Sequence, residues 1–157
     1  MSRLNPEHER YLAEHPFFAG LNTKDIAWLA DLARPLELAA GEYLYHEGDP
    51  SSEFYVMREG LIRLEAHTPG RGFLIIQTLE AGEVLGWSWM MPEVRKTFDA
   101  RVLKAAHLLA FEAEAVRRRC EQDHHLGYEL CKRFSRVIGD RLQATRFRLL
   151  DLYGQPH

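Results

Sequence analysis

The sequence predicts an α+β protein: an antiparallel β-roll or jelly-roll of the double-stranded β-helix type, flanked by an N-terminal helix and a long C-terminal helix. Three observations carry this expectation. Between Leu36 and Phe111, short apolar runs are broken at regular spacing by turn signals: Gly48-Asp49-Pro50, Glu59-Gly60, "TPGRG" and "EAGE". Ahead of them, "GLNTKDIAWLADLARP" has Asn22 or Thr23 as an N-cap and Asp25 in the first turn, with Ile26, Leu29, Ala30 and Ala33 at helical spacing and Pro35 as the stop. Behind them the chain turns helical from Glu112 onward.

The strands follow in order. "EYLYHEGDP" runs into a turn, "EFYVMREGLIRLEAH" reads as two strands joined at Glu59-Gly60, "FLIIQTL" and "VLG" are short strands, and "FDARVLKAAHLLAF" reads as two more. "EAEAVRRRCEQDHH" is a short helix, with Gly127 a break or a point of close contact. In the last helix Cys131, Phe134, Ile138, Leu142, Thr145, Leu149 and Leu152 recur three or four residues apart, an apolar seam. At 1.5 Å per residue, about 25 residues reach roughly 38 Å, farther than a small β domain is wide. The expected use of the overhang is a homodimer, paired helix to helix with a second copy. The segments are therefore an N-terminal arm (1–14), the β-roll with its helix (15–113) and the C-terminal helices (114–153), with 128–153 as the dimerisation helix. The arginines at 133, 136, 141, 146 and 148 read as a solvated helix face, partly balanced by Glu129, Asp140 and Asp151.

Bulk properties narrow the function. A length of 157 residues, 46% hydrophobic and 27% charged, fits one globular domain with a real core. The net charge of -3 does not imply a broadly basic nucleic-acid surface. Cys120 and Cys131 match neither a zinc nor a CxxC spacing, and no run approaches the ~18 apolar residues of a membrane span. No secretory h-region opens the chain, so a cytoplasmic protein with no membrane contact is expected.

The stretch "GEYLYHEGDPSSEFYVMREGLIRL", with Gly41, Gly48-Asp49, Tyr55, Met57 and Gly60, resembles the first half of the cyclic nucleotide-binding domain. "HPFFAGLNTKDIAWLADLA" resembles that family's opening helices, "GEVLG" the entry to its phosphate-binding cassette, and the last segment its long C-terminal helix. The resemblance, to the sensor domain of catabolite activator-like regulators, covers about residues 15 to 150. It implies a ligand site at Gly86, Trp87, Ser88, Trp89, Arg95, Lys96 and Thr97. A glycine entering a short helix also suits an anion such as phosphate.

Two departures matter. Where the family reads Gly-Glu, this chain has Gly86-Trp87, and an indole, which only donates, cannot accept the ribose hydroxyl bonds that the glutamate accepts. Arg95 or Lys96, followed by Thr97, falls where the family's phosphate-binding arginine and hydroxyl residue are expected. A lysine there would replace a bidentate grip by a point charge. Three readings stay open: a different small anionic or aromatic ligand, a self-filled structural pocket, or a cyclic nucleotide still bound.

A winged helix-turn-helix after the long helix would need on the order of 60–80 residues. The chain closes at "DLYGQPH", so direct sequence-specific DNA binding is not expected, and a protein partner is. The cupin pattern of paired histidines and a glutamate is not met by His46, His67 and His107, and no nucleophile elbow or Walker loop is present. The expectation is a non-enzymatic regulatory module, ligand-sensing or protein-interacting, with no metal. A cyclic nucleotide or another small anion is the group it would take. The alternatives are a structural or interaction domain without ligand and, behind it, a cupin-type metal enzyme.

Overall fold

Two asparagines start the N-terminal helices. In the structure, a computed structural model that describes residues 5–70 and 72–154, Asn5 Oδ1 accepts from the His8 amide at 3.0 Å and opens α1 (Pro6–Glu14). Asn22 Oδ1 accepts from the Asp25 amide at 2.8 Å and opens α2 (Thr23–Leu32). Most of the expected arm is thus a helix whose Leu12 and His8 are buried; the first four residues lie outside the described ones. A 3₁₀ turn, Pro16–Phe18, joins the two helices.

Six strands follow: β1 (Arg34–Leu38), β2 (Tyr43–Tyr45), β3 (Glu53–Thr68), β4 (Gly72–Glu80), β5 (Val84–Leu85) and β6 (Asp99–Glu112). The sheet order is β1-β6-β3-β4, with β2 also on β6 and β5 also on β3, every pair antiparallel. β1 is an edge, which is why it tolerates Pro35. The two strands expected on either side of Glu59-Gly60 are one strand. Pairing with β6 continues through register shifts between Met57 and Ile62, and the chain bends at Gly60. There φ is +102°, and a Cβ would sit 2.6 Å from the Ala105 carbonyl oxygen, so only glycine fits. The two final strands expected in "FDARVLKAAHLLAF" are likewise the single β6.

Helices α3 (Ala113–Gln122) and α4 (His124–Gly154) close the fold. α4 starts earlier than expected and takes Gly127 into its interior; a Cβ at Gly127 would lie 3.2 Å from Cys120 Cβ, so the glycine serves close packing of α3 on α4. Two apolar clusters fill the molecule. One lies inside the roll around Met57, Ile62, Leu64, Leu79 and Val102. The other joins the roll to the helices through Leu12, Phe18, Leu29, Phe54, Trp89, Phe111 and Phe134.

The predicted seam divides. Phe134 is fully buried, with ring contacts to Phe17, Phe54 and Trp89 at 5.0–5.3 Å between centroids, so it belongs to the domain's own core and cannot serve a partner. Ile138 and Thr145 are half-buried, while Cys131, Leu142, Leu149 and Leu152 are exposed. Phe147, Leu150 and Tyr153 are also exposed, leaving the end of α4 apolar and uncovered. No helix among the described residues is long and apolar enough to cross a membrane.

Candidate functional site

The cassette begins where β5 ends. Gly86 takes φ +91° and turns the chain into a second 3₁₀ turn, Trp87–Met90. A Cβ at Gly86 would lie 2.9 Å from the Glu53 carbonyl oxygen and 3.1 Å from Lys96 Nζ, so the missing side chain makes room for the lysine. Ser88 is buried; its Oγ shares a 2.7 Å hydrogen bond with Ser51 Oγ, and Ser51 in turn donates to the Val94 carbonyl. This hydroxyl pair ties the 3₁₀ turn to the loop returning to β6. That loop is pinned at Lys96 to the Gly48-Asp49 turn: the Gly48 amide donates to the Lys96 carbonyl and the Lys96 amide to the Asp49 carbonyl, both at 2.9 Å.

The basic pair splits. Arg95 is exposed and donates from Nη1 to the Gly48 carbonyl at 3.0 Å, bracing the turn from outside. Lys96 is 5% exposed and points inward. Its Nζ lies 3.1 Å from the Glu53 carbonyl oxygen, 4.6 Å from the centre of the Tyr45 ring and 5.6 Å from that of Tyr55. Burial drives its pKa down to about 8, and the nearby charges of Glu53 and Asp49 offset only part of that.

A second cation reaches the same place from α4. Arg141, expected on a solvated face, is 8% exposed; its Nη1 donates to Gln77 Oε1 and its Nη2 to the Val84 carbonyl, each at 2.9 Å. Burial lowers its pKa, against a smaller opposing pull from Tyr45 and two carboxylates. Tyr45, between the two cations, is pushed up to about 12 by burial and stays neutral. Among the described residues, neither Lys96 nor Arg141 has a carboxylate within ion-pair distance. Two buried cations held only by neutral oxygens and aromatic rings form an anion-seeking arrangement.

The space they border is small. A cavity of about 10 Å³, room for one water, is lined by Tyr45, Gly86, Trp87, Lys96, Phe98 and Arg141, with Leu64, Ser88 and Thr97 completing it. Of the residues singled out in the sequence, Gly86, Trp87, Ser88, Lys96 and Thr97 line this cavity; Trp89 and Arg95 do not. Trp89 is 1% exposed and packs on Phe54 and Phe134, its carbonyl accepting from Arg117, so it is a core residue. Trp87 is half-buried, with its ring against the helical core as well as the cavity. Tyr45 and Phe98 carry no site signal in the sequence, and Arg141 reads there only as part of a solvated helix face. Arg141 follows Lys96 by 45 positions, and only the packing of α4 on β4 brings them together.

The other notable histidines lie apart. His67 Nε2 is 2.6 Å from Asp99 Oδ2 and His46 Nδ1 is 3.8 Å from Asp99 Oδ1, while His107 sits near Glu37 and Glu59. Among the described residues, no group of three or more His, Cys, Asp or Glu is placed to hold a metal ion.

A roll of antiparallel strands closing on a glycine-led turn, with a lysine behind it and a long helix across it, defines the class: a β-roll of the cyclic nucleotide-binding type. The chain belongs to the cyclic nucleotide-binding domain family, whose model matches residues 35–123. Among relatives, it is 23% identical over 138 residues to the HTH-type transcriptional regulator Cmr of Mycobacterium tuberculosis, covering 88% of this chain and 54% of the regulator. It spans between 34% and 62% of the length of the first curated relatives it matches. Its fold is similar to a cyclic nucleotide-binding domain from Methylobacillus flagellatus, with TM-score 0.77 and 15% identity over 92% of this chain and 81% of that one. It is also similar to the sensor domain of the transcriptional regulator DNR from Pseudomonas aeruginosa, with TM-score 0.71 and 20% identity over 87% and 91% of the two chains.

Proposed function

We propose that the chain is a regulatory module whose cassette senses a small anionic ligand and passes the signal to α4, with no enzymatic step. The observation that carries this reading is the pair of buried cations, Lys96 and Arg141, facing one cavity without a carboxylate. An anion there would relieve two desolvated charges at once. A cavity of about 10 Å³ admits no nucleotide without a rearrangement of its walls. Entry requires Arg141 to leave the Val84 carbonyl and Gln77, and that movement is what α4 reports. Trp87 leaves the ribose hydroxyls without an acceptor, which costs roughly 1–3 kcal/mol per unsatisfied group. Phosphate or a phosphate-bearing ligand held by its anion therefore suits the site better than a cyclic nucleotide held by its ribose.

The test is a thermal-shift series with cyclic AMP, cyclic GMP, cyclic dinucleotides and inorganic phosphate, on the wild type and on Lys96→Met. A ligand at about 100 times its Kd adds about 2.7 kcal/mol of stability. The expected result is stabilisation by at least one of these anions, lost in the variant. A flat response to all of them overturns the sensing reading. It would favour the second reading, a ligand-free interaction domain, which the closure of the cavity by Tyr45, Trp87 and Phe98 supports.

The output surface in this proposal is the bare end of α4, where Leu142, Thr145, Leu149 and Leu152 keep alternating three- and four-residue steps suited to pairing with a second copy. A cytoplasmic homodimer that acts on a partner protein is the form proposed. Light scattering at micromolar concentration is expected to give twice the chain mass for the wild type and the single mass for Leu149→Glu. A wild-type monomer would exclude the dimer.

A further inference from the structure

We infer that the cassette, without movement of its walls, is a site for one halide ion, chloride or bromide, seated between Lys96 and Arg141 and competing there with any larger anion. This rests on the same two cations as the sensing reading and concerns how their site is regulated. The ligand is a single atom, where the sensing reading takes phosphate or a phosphate-bearing molecule.

The lining of this cavity holds two cations and no acid. Burial lowers the pKa of both cations, and four carboxylates outside the cavity oppose that without reversing it: Glu53 and Asp49 at Lys96, Glu83 and Asp140 at Arg141. None of the four is within ion-pair distance of the cation it acts on, and three are engaged elsewhere. Glu53 pairs with Arg34 at 2.7 Å, while Asp49 accepts from the His46 amide and Glu83 from the Glu80 amide, both at 2.8 Å. Asp140 is exposed, and water screens its pull. Tyr45, which also acts on Arg141, stays neutral up to about 12. The charge left uncompensated around the cavity is therefore positive.

The cations also keep donors to give. Lys96 Nζ has three N–H groups, and the protein oxygen it meets is the Glu53 carbonyl; its other neighbours are the rings of Tyr45 and Tyr55. The Arg141 guanidinium has five and places two, on Gln77 and on the Val84 carbonyl. Size then selects the anion. About 10 Å³, room for one water, accepts a single atom. Phosphate, sulfate and carboxylates bring several heavy atoms and need the walls to move. Tyr45, Trp87 and Phe98 border the space, so an entering ion sheds most of its water. That disfavours fluoride, the most strongly hydrated halide, and the size of the space disfavours iodide. A chloride bridging the two cations holds Arg141 in place, and a larger anion must expel it. By linkage, each ligand weakens the apparent binding of the other.

The experiment measures chlorine NMR line width with the full chain in sodium chloride, and urea unfolding as chloride replaces gluconate at constant ionic strength. Gluconate is too large for the cavity, so screening is held fixed while the ligand changes. The wild type is expected to broaden the chloride line, and bromide to reverse the broadening. Lys96→Met should lose most of it, while Arg136→Gln, an exposed position on α4 outside the cavity lining, keeps it. Stability should rise saturably with chloride and bromide, less with iodide and not with perchlorate. Adsorption to a protein surface follows the reverse order, since it favours weakly hydrated anions. No excess broadening, a larger effect of perchlorate than of chloride, an unaffected Lys96→Met, or loss of the signal in Arg136→Gln would overturn the inference. Inorganic phosphate, titrated at low and at saturating chloride, separates it from the sensing reading. Phosphate binding weakened at least fivefold by chloride supports both. Phosphate binding indifferent to chloride overturns the halide site and leaves sensing standing, whereas halide binding beside a flat response to phosphate and the nucleotides overturns sensing alone.

Discussion

Phe134→Ala is expected to cost about 3–5 kcal/mol of folding stability, independent of protein concentration. The side chain is fully buried at the junction of the two halves of the molecule, edge-on to Phe54 and in contact with Trp89 and Phe17. Its truncation leaves a void bounded by the β3 core residue, the cassette turn and the N-terminal 3₁₀ turn, three elements that cannot all close in. The contrast is Leu149→Ala, in the same apolar seam but 47% exposed. An exposed substitution of this kind changes the stability of the single chain by about 0.5 kcal/mol or less, and any larger effect must grow with concentration through association. Urea unfolding at two concentrations separates the cases. A loss below about 1 kcal/mol for Phe134→Ala would mean that α4 does not pack as described.

Lys96→Met is expected to stabilise the protein at pH 7, by about 1–3 kcal/mol, and to remove a rise in stability between pH 8 and 10. With the folded pKa near 8 against an ordinary 10.5, the unfolded chain holds a proton through this window that the folded chain has released. Stability therefore increases as pH rises through it, by on the order of 3 kcal/mol for the full gap. Burial raises the pKa values of Tyr45 and Tyr55, which act in the opposite direction. Unfolded tyrosines ionise near pH 10 while the folded ones stay neutral, so their contribution falls above that point and limits the lysine window to about pH 8–10. Methionine keeps the length of the side chain without its charge, and the donor lost to the Glu53 carbonyl offsets part of the gain. Chemical denaturation from pH 7 to 10 reads both effects. A flat wild-type profile, or a variant less stable at pH 7, would show that Lys96 is compensated in the fold. A stabilising loss of the cation is the pattern expected where a site is held ready for a ligand at the expense of stability.

Much of the frame was legible because it rests on backbone chemistry. The glycines at 41, 48, 60, 82 and 86 all take positive φ, between 90° and 102°, so their residue type was itself the structural signal. The Asn22 cap was legible for the same local reason. β3 and β6 were each read as two strands because turn residues mark a bend; a bulge bends the strand without ending its pairing. The site was harder to read. Arg95 and Lys96 are neighbours in an irregular loop, where no period decides which one faces inward. The backbone pairing of Lys96 with Gly48 and Asp49 decides it, and that contact spans more than 45 positions. Arg133 and Arg141 were placed in solvent because arginine is rarely buried. What buries them is a supply of carbonyls, on Phe17, Ala19 and Val84, that no sequence pattern marks as unpaired.

The unbroken run of α4, 31 residues whose buried positions end at Arg141 and whose last turns are bare, also has a mechanical consequence. With its fulcrum at Phe134, the helix places Arg141 about 10 Å and its last turn roughly 30 Å along the same rod. A tilt that moves Arg141 is magnified about threefold at the far end, and a tilt of roughly 10° sweeps that end sideways through roughly 5 Å. An event the size of one hydrogen bond at the root becomes a sideways step of several ångströms at the tip.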